Sequence, residues 1–106
     1  MKNKNKISCV YMILNNSNLK VYIGSTINYK DSKHHHLYHL NKNKHNNEEL
    51  QKDYNNGDKI SFYLLERCNK ENLFKLEYFY GKKYKSGNPD YGYNKHNFPE
   101  YLLNKI

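Results

Sequence analysis

Two tyrosines, one carboxylate and a run of histidines are the residues of this chain whose types and spacing could do chemistry. Tyr11 and Tyr22 stand near the middles of two short apolar runs, where they could point to the same face of a sheet. The commoner fate of such tyrosines is a ring in the core with a polar edge, so chemistry needs further support. Glu77 interrupts the apolar stripe Leu73, Leu76, Tyr80 and Tyr84. A carboxylate in such a stripe must be paired, protonated or bound to a cation, because burying it alone is costly. The plainer alternative is a boundary residue that reaches solvent or a lysine. His34, His35, His36 and His39 crowd one segment, and His45 follows it. His35 and His39 are one helical turn apart, a spacing that metal sites use, but no cysteine or carboxylate completes a set beside them. A solvated basic surface turned towards a polyanion is the better reading of the cluster.

The sequence pattern outlines the elements that must position these residues. Residues 7–14 (ISCVYMIL) read as a strand with Ile7, Cys9, Tyr11 and Ile13 on one face and Val10, Met12 and Leu14 on the other. Asn15 to Asn18 is turn chemistry and Leu19 to Gly24 a second strand, so a hairpin is expected. Apolar residues on both faces imply helices over at least part of each side. Asn28 is suited to cap a helix, with Asp31 three residues on, and Tyr29, Ser32, His36 and Leu40 keep helical spacing beyond it. A second helix starts at Asn46 or Asn47, with Glu49 closing a capping box, and stops near Gly57. Residues 59–66 alternate as a third strand. A longer helix then runs from about Asn69 to Lys85 and is ended by Gly87 and Pro89, before a compact turn over Asp90 to Asn94. The order β-β-α-α-β-α with short connections predicts an α+β fold: a three-stranded antiparallel sheet flanked by helices, in a single domain over 1–106.

Composition narrows the partners. The 106 residues have a net charge of +8, almost all of it from lysine, since Arg67 is the only arginine. That balance favours phosphate backbones and salt-sensitive association. Cys9 and Cys68 are too few and too far apart for a disulfide framework or a zinc site. Residues 1–6 lack the apolar core of a signal peptide and no run is long enough to span a membrane, so a soluble, cytoplasmic protein is expected.

Taken in order, the motifs resemble the GIY-YIG nuclease family. Cys9-Val10-Tyr11 stands where that family has Gly-Ile-Tyr, and Tyr22-Ile23-Gly24 is followed by Ser25 and Thr26. His45 with Leu50 and Gln51, Glu77 in LEYFY, and Gly92-Tyr93-Asn94 follow at family-like spacing, so the likeness spans residues 7–94 and leaves 95–106 as a tail. The resemblance implies a metal-dependent endonuclease that hydrolyses phosphodiesters of double-stranded DNA, without a small-molecule cofactor, in a bacterial or phage-infected cell. It implies that Tyr11 and Tyr22 position and activate the attacking water, Tyr11 as the base. It makes Glu77 the ligand of one Mg²⁺ ion, His36 a histidine near the nucleophile, and His45 and Asn94 supports for the site and the phosphate.

One position departs from the family. An arginine is expected on the first helix ten residues after the second tyrosine, and Ser32 stands there. A hydroxyl supplies no fixed cation, and Lys33 projects about 100° round the helix. The expected cost is roughly 3–4 kcal/mol, about two to three orders of magnitude in rate. Two origins stay open: a deliberate change that disables cutting, or natural loss of catalysis with binding kept. The alternative function is therefore a non-catalytic DNA-binding protein on the same scaffold. A single-strand- or RNA-binding module ranks behind it, because it leaves Glu77 unexplained. Sequence specificity and oligomeric state are not legible.

Overall fold

A strand that is apolar on both faces has to be covered twice, and the central strand of this protein is. The structure is a computed structural model that describes residues 6–95. Three strands, β1 (Cys9–Asn15), β2 (Val21–Thr26) and β3 (Ile60–Arg67), form an antiparallel sheet in the order β2-β1-β3. Helices α1 (Tyr29–Asn41) and α2 (Glu48–Asn55) lie between β2 and β3 in the chain, and α3 (Leu73–Tyr84) follows β3. The α+β order expected from the sequence is the one observed.

The alternation along β1 sorts the core into two clusters. Tyr11 and Ile13 join Leu40 of α1, Leu50 of α2 and Tyr93 on one face, with Tyr22, Tyr29 and Phe62 packed against them. Val10 joins Val21 and Ile23 on the other face, beneath Leu76, Tyr80 and Tyr84 of α3. A bulge in β3 opposite Val10 and Tyr11 adds a residue to the ladder.

Several boundaries differ from the expected ones, each for a local reason. Leu19 takes a left-handed φ of 66° in the turn, so β2 begins at Val21. The turn is held by Asn15, whose buried side-chain carbonyl accepts from the backbone of Ser17 at 2.7 Å and Asn18 at 3.3 Å. The last helix is preceded by a single 3₁₀ turn, Lys70–Asn72, and ends at Tyr84 because Lys85 is left-handed (φ 56°), ahead of Gly87 and Pro89. Asn28 and Asn47 cap α1 and α2, accepting from Asp31 N–H and Leu50 N–H. With the cap at Asn47, Glu49 falls in the first turn and pairs with Lys20 at 2.5 Å.

The segment expected as a plain turn at 90–94 does more. Gly92 bridges to Val21 in parallel, with Val21 N–H donating to the Tyr91 carbonyl at 3.1 Å and Tyr93 N–H donating to the Val21 carbonyl at 2.9 Å. A Cβ at Gly92 would overlap the Ser86 backbone, so only glycine permits this approach. Part of the outer edge of β2 is thereby covered; among the described residues no bridge forms along Gly24 to Thr26, which make up the open half of that edge. The expected terminal segments, residues 1–5 and nearly all of the 95–106 tail, lie outside the described residues.

Candidate active site

The open half of β2 is where the chemical residues converge. Tyr11, on the central strand, is paired with Gly24, and its ring crosses β2 at that glycine. A Cβ at Gly24 would lie 2.5 Å from the Tyr11 hydroxyl oxygen, so the glycine of the second motif is the gap through which Tyr11 reaches the edge. Tyr22 lies on the same face, its ring 6.5 Å from that of Tyr11 and inclined to it by 29°. The shared face expected from the sequence is observed.

From the hydroxyl of Tyr11 a chain of rings leads away from the sheet. His36 of α1 sets Nε2 2.7 Å from the Tyr11 oxygen, and its Nδ1 is 2.7 Å from Nε2 of His45 in the α1–α2 connection. The connection is pinned by Gln51, whose amide accepts from His45 N–H at 2.9 Å and donates to the Leu40 carbonyl at 3.0 Å. Asn47 N–H donates to His45 Nδ1 at 3.0 Å. Burial holds His36 down to about 4, with His45 and its helix neighbours His35 and His39 adding to the effect, so His36 is neutral at pH 7. His45 is lowered by burial first and then by His39. The Tyr11 hydroxyl is pushed far up, by burial and then by the neighbouring Tyr22 and Glu77, and Tyr22 is raised by burial and Glu77.

Glu77 reaches the same edge from the opposite face. It projects from α3 and accepts from the Ser25 hydroxyl at 2.5 Å, on the next residue of β2 after Gly24. Among the described residues no three of His, Cys, Asp and Glu converge on one point. The donor set is one carboxylate beside a hydroxyl, all oxygen. It fits a hard cation such as Mg²⁺, which keeps most of its waters and takes one or two carboxylates together with substrate phosphate.

Ser32 and Asn94 stand at the margins. The Ser32 hydroxyl donates to Thr26 at 2.6 Å, so it turns back onto the strand. Lys33 lies over the ring of Phe62 in β3, the strand on the other side of β1 from β2. Asn94 is buried, and its amide accepts from Ile23 N–H at 2.9 Å and donates to the Ile23 carbonyl at 3.0 Å, replacing a missing strand neighbour. Next to these residues lies an open cleft of about 640 Å³, lined by Tyr22, Ser32, His36, His45 and Asn94, with His35, His39, Lys6 and Lys95 at its rim. Asp31 also lines it, the one acidic side chain there among the described residues. The residues that sequence reasoning passed over are Asn47, read only as a helix start, and Thr26. Their roles depend on which backbone or hydroxyl group lies opposite, and residue type alone does not reveal that.

A three-stranded antiparallel sheet with a polar, aromatic cleft beside its edge strand and a carboxylate beneath it makes this a small α+β domain. No family model and no curated protein matches the chain. Among solved structures it is similar to the catalytic domain of homing endonuclease I-TevI, at 30% identity and a TM-score of 0.76, over 85% of this chain and 99% of that one. It is also similar to a mutant of the catalytic domain of intron endonuclease I-TevI, at 28% identity and a TM-score of 0.77, over 88% and 97%. With that identity over nearly the whole of the relative, the chain belongs to the GIY-YIG nuclease family.

Proposed function

We propose that this protein is a DNA endonuclease whose centre lies at the open half of the β2 edge, and that Ser32 leaves it weakly active. The observation that carries the reading is the convergence there of Tyr11 and Tyr22 from one sheet face and Glu77 from the other. Both relatives are catalytic domains of endonucleases, which supports the same class of reaction. The lysines and histidines at the cleft rim suit a phosphate backbone.

Each side chain has a part. Tyr11, as the phenolate left once its own proton has passed to solvent, takes the proton of the attacking water, with Tyr22 orienting that water and His36 bonded to the Tyr11 oxygen. Glu77 would hold one divalent cation with the help of water and phosphate. When bound, that ion neutralises charge on the phosphate and the leaving oxygen and offsets the Glu77 charge that now raises both tyrosines. Asn94 keeps the edge strand straight under the site. A second reading, DNA binding without cleavage, draws on the Ser32 hydroxyl donating its one proton to Thr26, which leaves none for a phosphate.

Plasmid cleavage in Mg²⁺ separates the two. Ser32→Arg is expected to raise the rate by about two to three orders of magnitude. Adding Glu77→Ala to that variant is expected to abolish the gain. If none of the proteins cuts while all shift DNA in a gel, the endonuclease reading falls and the binding reading stands.

A further inference from the structure

The His36–His45 pair can carry hydrogen bonds in either direction, and the direction decides what Tyr11 experiences. We propose that His45 is a positioning residue which, held by the backbone N–H of Asn47, makes His36 a donor to the Tyr11 oxygen and leaves the Tyr11 proton uncommitted to His36. The inference deepens the reading of Tyr11 as the base and rests on it.

The argument runs from the one bond whose direction is fixed. A backbone N–H can only donate, so His45 Nδ1, 3.0 Å from Asn47 N, accepts and carries no proton. A neutral imidazole has one proton, which then sits on His45 Nε2 and is donated to His36 Nδ1 across 2.7 Å. That nitrogen being an acceptor, the His36 proton sits on Nε2 and is donated to the Tyr11 oxygen, also across 2.7 Å. In the reverse direction Tyr11 would donate to His36 and His36 to His45. The His45 proton would then lie on Nδ1, head-on against Asn47 N–H. Only one direction leaves every group satisfied.

The anchor of the relay is rigid. Asn47 is the N-cap of α2, so its own N–H has no partner within the helix. Its side chain accepts from Leu50 N–H at 3.0 Å and donates to the Tyr93 carbonyl at 2.6 Å, and the residue is buried. His45 N–H is held in turn by Gln51. The titratable groups that face His36 are Tyr11 and Tyr22 from the sheet, His45 from the connection, and His35 and His39 from its own helix. Burial lowers the proton affinity of both rings, which favours the neutral forms the relay needs. A hydrogen bond donated to the oxygen favours the phenolate, the form a base requires, and opposes the effect of burial.

Long-range ¹H–¹⁵N correlation spectra of the histidine-labelled protein at neutral pH read the tautomers directly, without any nuclease assay. Both His36 and His45 are expected as single neutral rings protonated on Nε2. A proton on Nδ1 of either ring, or a charged ring, overturns the relay. In His45→Phe the donor is lost, and a population of His36 protonated on Nδ1 is expected to appear. If His36 stays wholly protonated on Nε2, His45 does not set it. Should that variant fail to fold, the spectrum of the unaltered protein decides alone. Because DNA cleavage plays no part, a failed relay leaves the plasmid experiment to judge the endonuclease reading, and the reverse also holds.

Discussion

The two faces of the sheet are made by the same three strands, yet they are built on opposite terms. Under α3, Val10, Val21 and Ile23 form an aliphatic floor with Leu76 above it, and its polar intrusion is Glu77 at the edge. Under α1 and α2 the floor is largely aromatic, and Tyr11, Tyr22 and His36 are titratable groups kept neutral by burial. The first face takes its stability mainly from apolar area, with Glu77 bonded to Ser25 and Tyr80 to Glu66 at its margins. The second gives some up to hold polar groups in fixed geometry, and so it should answer to pH where the first does not.

The largest test lies on the aliphatic face. Ile23 is 1% exposed in the middle of β2. Ile23→Ala is expected to cost about 2–5 kcal/mol of unfolding free energy, by loss of transfer energy plus a cavity. Urea denaturation at several pH values should show that loss unchanged between pH 4 and 7. A loss that varies with pH would mean that the two faces are coupled through the strand.

The aromatic face should show the opposite behaviour. The His36 value of about 4 lies below the 6.5 of an unhindered histidine. Above 6.5 neither state is protonated and there is no penalty. Between 6.5 and 4 the unfolded chain binds the proton and the folded one does not, so stability falls as pH drops, and below 4 the loss levels off. The full difference is roughly 3 kcal/mol. In His36→Asn the stability curve over this window is expected to be flatter by that amount. Parallel curves for the two proteins would show that His36 is not held neutral.

Much of this contrast was legible in the sequence, because it rests on period. The alternation in 7–14 put Tyr11 and Val10 on opposite faces, and the apolar stripe of α3 singled out Glu77 as the carboxylate that interrupts it, which meets Ser25. The order of elements followed from turn and cap residues such as Asn28. What stayed hidden depends on contacts between distant segments. Nothing in the types of Gly92 and Asn94 says that they pair with β2 and cover half of its edge. Likewise the Ser32 hydroxyl finds Thr26, and Lys85 ends α3 in a left-handed turn that a sequence reader would place at Gly87.

The smallest expected effect lies where the two faces meet the open edge. Gly24→Ala introduces a Cβ 2.5 Å from the Tyr11 oxygen and 2.6 Å from the ring carbon that bears it. The obstacle is the far end of a side chain, so Tyr11 can shift, though it is buried and bonded to His36. Overpacking of this kind costs about 1–3 kcal/mol, offset in part by the lower chain entropy of alanine in the unfolded state. Tyr11→Phe removes the nearest atom and with it the bond to His36. Gly24→Ala should therefore cost less in the Tyr11→Phe background than alone, a favourable coupling that a double-mutant cycle of urea unfolding measures. If the two changes simply add, the Tyr11 ring does not cross β2 at Gly24. The path by which a core tyrosine reaches the edge would then have to be sought elsewhere on the strand.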